Sequence, residues 1–174
     1  MIFGPSGAGK SSFGKWLATE QNWIHLEIDR YPLPEDGIDA NELRHEWDEF
    51  YCRKNARLLG DALRQRFRAH SNASVALTFP GTFVLSREHM VAATDTGVRT
   101  VYLYGSAAHC VAAFLNREQH TGRNLDLNHW IAHNCVSYNQ LTSDPAFGPY
   151  KIDVFTRAGI RRRHADVFEA LLTR

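Results

Sequence analysis

The alternation of apolar and polar positions changes period repeatedly along this chain. Met1-Ile2-Phe3 is apolar and strand-like, and a glycine-rich turn follows it. Phe13, Trp16 and Leu17 then recur at helical spacing, which predicts a first helix from about Lys10 to Glu20. Trp23 to Asp29 alternates as a second strand does, and Tyr31-Pro32-Leu33-Pro34-Glu35-Asp36-Gly37 is a turn-rich break. Asp39 to Glu42 resembles a capping box, with an acceptor at the N-cap and a glutamate three residues on. It opens a helical stretch with apolar positions at Leu43, Trp47, Phe50 and Tyr51, then Leu58, Leu59, Ala62, Leu63 and Phe67. Gly60 does not force a break, so one helix or two remains open. Ala73 to Phe79 predicts a third strand ended by Pro80-Gly81, and Leu85 to Thr96 a helix stopped at Gly97. Val98 to Tyr104 predicts a fourth strand, and Ser106 caps a helix burying Cys110, Val111, Phe114 and Leu115. Leu127, Trp130, Ile131, Asn134, Cys135, Tyr138 and Leu141 form one stripe of a further helix. Lys151 to Thr156 is a short final strand, and Val167, Phe168, Leu171 and Leu172 mark a last amphipathic helix. Strands alternate with helices throughout, which predicts a three-layer α/β/α fold around a parallel sheet.

Composition narrows this little. The chain has 174 residues, 44% hydrophobic and 22% charged, enough for one domain spanning 1–174 with a core that needs no disulfide or metal. No repeat, low-complexity tract or linker divides it. A net charge of +1 is too balanced to make nucleic acid or an anionic membrane the main partner. There is no long apolar run and no signal-like segment, so the expectation is a soluble, cytoplasmic protein, monomer or homodimer. Cys52, Cys110 and Cys135 are widely spaced and show no C-x-x-C pattern; Cys110 and Cys135 read as buried thiols.

The chemistry begins in the first turn. Gly4-Pro5-Ser6-Gly7-Ala8-Gly9-Lys10-Ser11 fits G-x-x-x-x-G-K-[ST], the phosphate-binding loop. Its glycines let successive N–H groups converge on the β- and γ-phosphates of a nucleotide, Lys10 adds charge there, and the Ser11 hydroxyl suits Mg²⁺. The helix starting at Lys10, with Ser12 in its first turn, points its positive dipole end at the same phosphates. Only three residues precede Gly4, fewer than the ~5–6 of an ordinary strand, so either that strand is short or the true start lies upstream of Met1.

Three further features bear on what a bound nucleotide would do. Glu27 and Asp29 close the second strand two residues apart, hence on one face. One of the two carboxylates suits Mg²⁺, and the other suits an acceptor hydroxyl as base or orienter. Between strands two and three lies an insertion, about residues 30–72, far longer than the ~10–12 residues a minimal crossover needs. Arg44, Arg53, Lys54 and Arg57 on it suit an anionic acceptor, although each taken singly reads better as part of a solvated basic face. Trp47, Phe50 and Tyr51 would stack on a planar substrate, but at helical spacing they read first as core. Arg117-Glu-Gln-His-Thr-Gly-Arg123 lies between two helical patterns, and a lid over about 117–126 would bring two arginines onto the transferring phosphoryl group.

This order of parts resembles small P-loop kinases of the shikimate kinase, gluconate kinase and, more distantly, adenylate kinase group. The likeness covers nearly the whole chain in layout, and only the phosphate loop matches residue for residue. Shikimate kinases end strand two in Asp-x-Asp, with one acid near Mg²⁺ and the other on the acceptor; Glu27 and Asp29 take those positions. Their third strand ends in a Thr-Gly-Gly-Gly turn, where Thr78-Phe79-Pro80-Gly81 keeps the Thr and one Gly. Arg117 and Arg123 resemble lid arginines at approximate spacing. The resemblance implies a P-loop NTPase fold with five parallel strands in order 2-3-1-4-5, ATP and Mg²⁺ as cofactors, and a small-molecule acceptor touching Asp29, Arg44, Arg53 and Gly81. It also implies an adenine pocket including Arg157 from the loop Arg157-Ala158-Gly159. The extended acceptor signatures of shikimate and gluconate kinases are absent, so neither substrate is carried over. Two other readings stand beside an ATP-dependent phosphotransferase: a nucleotide-binding regulatory or ATPase module, and a nucleoside or nucleotide kinase.

His129 and His133, four apart on a helix, have dual-histidine spacing without an evident third ligand and read as solvated. Arg161-Arg162-Arg163, at the start of the last helix, reads as a solvated cluster.

Overall fold

The computed structural model describes residues 1–28, 38–39, 43–68, 74–81, 85–121 and 126–173. Strands β1 (Ile2–Phe3), β2 (Ile24–Glu27), β4 (Val75–Thr78), β5 (Val101–Tyr104) and β6 (Lys151–Asp153) form the five-stranded parallel sheet the resemblance implies, in the order β2-β4-β1-β5-β6. A sixth strand, β3 (Ile38–Asp39), adds itself outside β2, with Leu26 beside Ile38 and Glu27 beside Asp39. Asp39 was expected to cap a helix. Its backbone is instead spent on this edge pairing, and helix α2 (Arg44–Arg53) starts farther on, with Leu43 at its N-cap.

The helical stretch of the insertion is two helices. Lys54 turns left-handed at φ 59° and ends α2; the Asn55 side chain then accepts the Leu58 N–H and opens α3 (Ala56–Arg66). That cap offsets one orphan donor, worth about 1 kcal/mol. Helix α1 (Lys10–Glu20) has the predicted span. Helix α4 (Arg87–Asp95) starts at a Ser86–His89 capping box, and Gly97 at φ 76° closes it while Val98 N–H returns to Ala93 O. Because Val98 is used in that closure, β5 starts three residues later than its sequence suggests. Helices α5 (Ala107–Thr121) and α6 (Leu127–Ser143) follow, then a 3-10 turn (Pro145–Tyr150) that the apolar pattern did not signal, and α7 (His164–Leu172).

Neighbouring strand residues face opposite ways, and the core divides accordingly. One layer joins Phe3, Leu26, Leu77 and Tyr102 to Trp47 and Phe50 of α2, Leu59 of α3 and Met90 of α4. The other joins Ile2, Ala76, Val101, Leu103 and Ile152 to Phe13 and Leu17 of α1, Cys110 of α5, and Val167 and Leu171 of α7. Phe3 stacks on Phe79 with ring centroids 4.3 Å apart, and Trp47 lies 4.3 Å from the same ring, so α2 is pinned over the centre of the sheet. Trp47 and Phe50 are therefore core rather than a stacking platform. The end of the sheet where β1 meets α1 is left for the site.

Candidate functional site

The phosphate loop is shaped by backbone conformation and held by contacts from four distant elements. Gly7 and Gly9 take φ of 82° and 83°, a region that side chains resist; at Gly7 a Cβ would also strike the Cys110 carbonyl of α5. Gly9 is the N-cap of α1, no side chain caps that end, and the first turn carries no acid. The helix thus presents its N-terminal dipole with no acid in its own first turn to neutralise it. Lys10 is buried and its ammonium donates to Gly4 O (2.9 Å) and Pro5 O (3.1 Å), across the mouth of the loop. Ala8 is fully buried below. Ser6 is clamped by the buried Asn134 of α6: its N–H donates to Asn134 Oδ1 at 2.6 Å, and Asn134 Nδ2 donates to its carbonyl at 3.1 Å. Gly81, after β4, packs against Ser6 so closely that a Cβ there would overlap it. Arg161 reaches in from beyond β6, donating to Gly7 O (2.7 Å) and Ala8 O (3.1 Å), with its guanidinium 4.8 Å over the Phe155 ring.

Above this floor lies a cavity of about 420 Å³, within the range of small-molecule sites. Gly9, Lys10, Ser11, Ser12, Lys15, Arg117 and Arg161 line it, four of them cations. Arg117 is aimed by Glu118, a buried carboxylate that accepts from its Nε at 2.7 Å, and its guanidinium sits over Phe114. The Ser12 hydroxyl lies 3.2 Å from His164 Nε2.

Glu27, at the end of β2, is buried; Thr78 Oγ1 donates to its Oε2 at 2.7 Å and His25 Nε2 lies 3.6 Å away. Burial pushes its pKa up, but polar contacts from His25, Thr78 and Ser11 outweigh that and leave it below the ordinary glutamate value. A charged carboxylate beside the Ser11 hydroxyl is an all-oxygen donor set, which suits a hard cation such as Mg²⁺.

Of the other residues predicted from sequence, Arg53 lies on the exposed side of α2 and pairs with Glu49 at 3.1 Å, away from the cavity. Arg157 is exposed and does not line it. Arg44 opens α2, and nothing is described of its side chain; Asp29 and Arg123 lie outside the described residues. The His129 and His133 rings lie tilted with centroids 4.4 Å apart, and no group of three or more metal-ligating side chains occurs among the described residues. Cys110 is buried, Cys135 half-buried and Cys52 exposed. No helix is long and apolar enough to cross a membrane among the described residues.

Sequence reading missed Arg161 and Asn134 as parts of the loop. Arg161 read as solvated because its partners are 153 and 154 residues away in sequence. Asn134 did carry a signal, an amide on an otherwise apolar helical stripe.

No family model and no curated protein matches the chain. Among solved structures, a shikimate kinase from Acinetobacter baumannii in complex with shikimate aligns over 99% of this chain and 91% of its own, at 19% identity and a TM-score of 0.53. A gluconokinase from Sinorhizobium meliloti aligns over 99% and 87%, at 15% identity and a TM-score of 0.49. The sheet order, the phosphate loop and the first of these likenesses define the fold as that of the P-loop small-molecule kinases.

Proposed function

We propose that this chain is an ATP-dependent phosphotransferase whose acceptor is a small, anionic or hydroxylated metabolite. The observation that carries the reading is one cavity joining the uncapped start of α1, Lys10, Ser11 and Arg117. A site meant only to hold nucleotide needs the first three. An arginine brought over from α5 by a buried glutamate adds charge where a phosphoryl group would be in transit.

In this reading the loop amides and Lys10 hold the β- and γ-phosphates, and Ser11 with Glu27 holds Mg²⁺. Mg²⁺, when bound there, would supply positive charge against that of the phosphates. Asp29 takes the proton of the acceptor hydroxyl as that oxygen bonds to the γ-phosphorus and the bond to the β–γ bridging oxygen breaks, releasing ADP. Arg117 and Arg123 stabilise the charge on the transferring group, and residues about 117–126 act as the lid. Arg157 serves the adenine side; Arg44, Arg53 and Gly81, on or after the insertion of about 30–72, serve the acceptor. The chain works as one domain.

A thermal-shift screen of metabolites with a non-hydrolysable ATP analogue, followed by ADP-release assays on the hits, tests the proposal. An acceptor that accelerates ADP formation is the expected result, with turnover cut and nucleotide binding spared in Asp29→Asn. ADP formation indifferent to every acceptor would overturn it in favour of a regulatory ATPase module.

A further inference from the structure

Behind Ser11 and Glu27 lies a buried histidine that the reaction does not use directly. His25 sits two residues before Glu27 on β2, on the same face of the strand, and is 4% exposed. Its Nε2 is 2.8 Å from Thr78 Oγ1, and Thr78 Oγ1 is 2.7 Å from Glu27 Oε2, with a weaker alternative at 3.2 Å to Leu26 O. Proton counting fixes the direction of the chain. Thr78 has one hydroxyl proton, and the carboxylate oxygen is its nearest acceptor. The hydroxyl oxygen therefore accepts, and the donor is the N–H at His25 Nε2. His25 Nδ1 is buried and has no hydrogen-bond partner among the described residues.

The helix that carries the phosphate loop is cut to fit this ring. Gly14 lies inside α1, where glycine costs ~0.5–1 kcal/mol relative to alanine. A Cβ at Gly14 would overlap the His25 imidazole at Nε2. A helix-weakening residue and an unpaired buried nitrogen both accompany the placement of one N–H. Ordinary packing would be served better by an apolar side chain.

We propose that His25 is a positioning residue for the metal-facing carboxylate: its Nε2–H orients the Thr78 hydroxyl, and that hydroxyl holds Glu27 Oε2 beside Ser11. The inference rests on reading Ser11 and Glu27 as the magnesium site. It follows the general pattern in which the partners of a metal ligand set its orientation, and their loss costs ~10–100-fold in metal affinity.

The test is the ratio of affinities for a non-hydrolysable ATP analogue with and without Mg²⁺, measured by calorimetry on the full chain. Thr78→Val keeps the shape and removes the relay; His25→Phe keeps the ring and removes the donor; His25→Gln keeps an N–H near the same place. The first two are expected to lower the magnesium ratio about tenfold with metal-free affinity unchanged, and the glutamine to restore most of it. His25→Phe should add nothing in a Thr78→Val background, since both cut one path. An unchanged ratio in Thr78→Val, alongside a lowered ratio in Glu27→Gln, overturns the positioning role and leaves the metal site standing. An unchanged ratio in Glu27→Gln overturns the metal reading and the proposal with it. Equal losses with and without magnesium would make His25 a packing residue only.

Discussion

The phosphate loop and the α2–α3 helix pair are both attached to the same sheet, yet they are held in different ways. The loop is held by polar contacts to its main chain: Asn134 on Ser6, Arg161 on Gly7 and Ala8, Lys10 on Gly4 and Pro5. The helix pair is held by aromatic packing, with Trp47 and Phe50 buried against Phe3 and Phe79, while Arg53 and Arg57 stand outside in i,i+4 ion pairs. In the first region the groups offered to a ligand are backbone amides fixed by the chain's path. In the second, any ligand contact must come from side chains that the fold leaves free to vary. In the proposed reading, the loop end suits one chemistry, and the insertion leaves room for a choice of acceptor.

Substitutions separate the two regions, and the largest effect belongs to the packed one. Trp47→Ala should lower stability by ~3–5 kcal/mol in chemical denaturation, through the cavity left beside Phe3 and Phe79. Its folded fraction should still bind a triphosphate analogue. Lys10→Ala should cost ~1–3 kcal/mol of stability, because the Gly4 and Pro5 carbonyls lose a buried donor. It should also cost ~2–4 kcal/mol of transition-state stabilisation, read from kcat/KM once an acceptor is known. Asn134→Ala should cost ~1–3 kcal/mol, because the Ser6 amide loses its partner under Gly81. Unlike Trp47→Ala, it should weaken nucleotide binding as well as stability. Arg53→Ala should move stability by no more than ~0.3–0.5 kcal/mol, the value of an exposed helical ion pair. A large loss of stability in Arg53→Ala, or none in Trp47→Ala, would break the contrast.

The same contrast explains what sequence made visible. Helix α1, the loop and the presence of the five strands of the expected sheet were legible because each rests on local chemistry: a run of glycines, a helical apolar stripe, alternating strand residues. Their order came from the resemblance to small P-loop kinases. Glu27 beside Ser11 followed from two short patterns brought to one sheet end. Arg161 was not legible, since nothing near it in sequence says that the segment after β6 folds back onto the loop. His25 looked like any polar position in an alternating strand. The local trace of its role was Gly14, a glycine inside a helix whose reason lies on the neighbouring strand. Asp39 misled because a capping pattern competes with edge-strand pairing, and partners outside the segment decide that competition.

The most direct test of the central claim, that the cavity above α1 holds the phosphates of a nucleoside triphosphate, is competition between inorganic tripolyphosphate and a non-hydrolysable ATP analogue, followed by calorimetry in the presence of Mg²⁺. The account predicts one analogue site per chain, displaced by tripolyphosphate in the wild type and weakened at least about tenfold, or ~1.4 kcal/mol, in Lys10→Ala. Analogue binding that ignores tripolyphosphate and is unaltered in Lys10→Ala would contradict it.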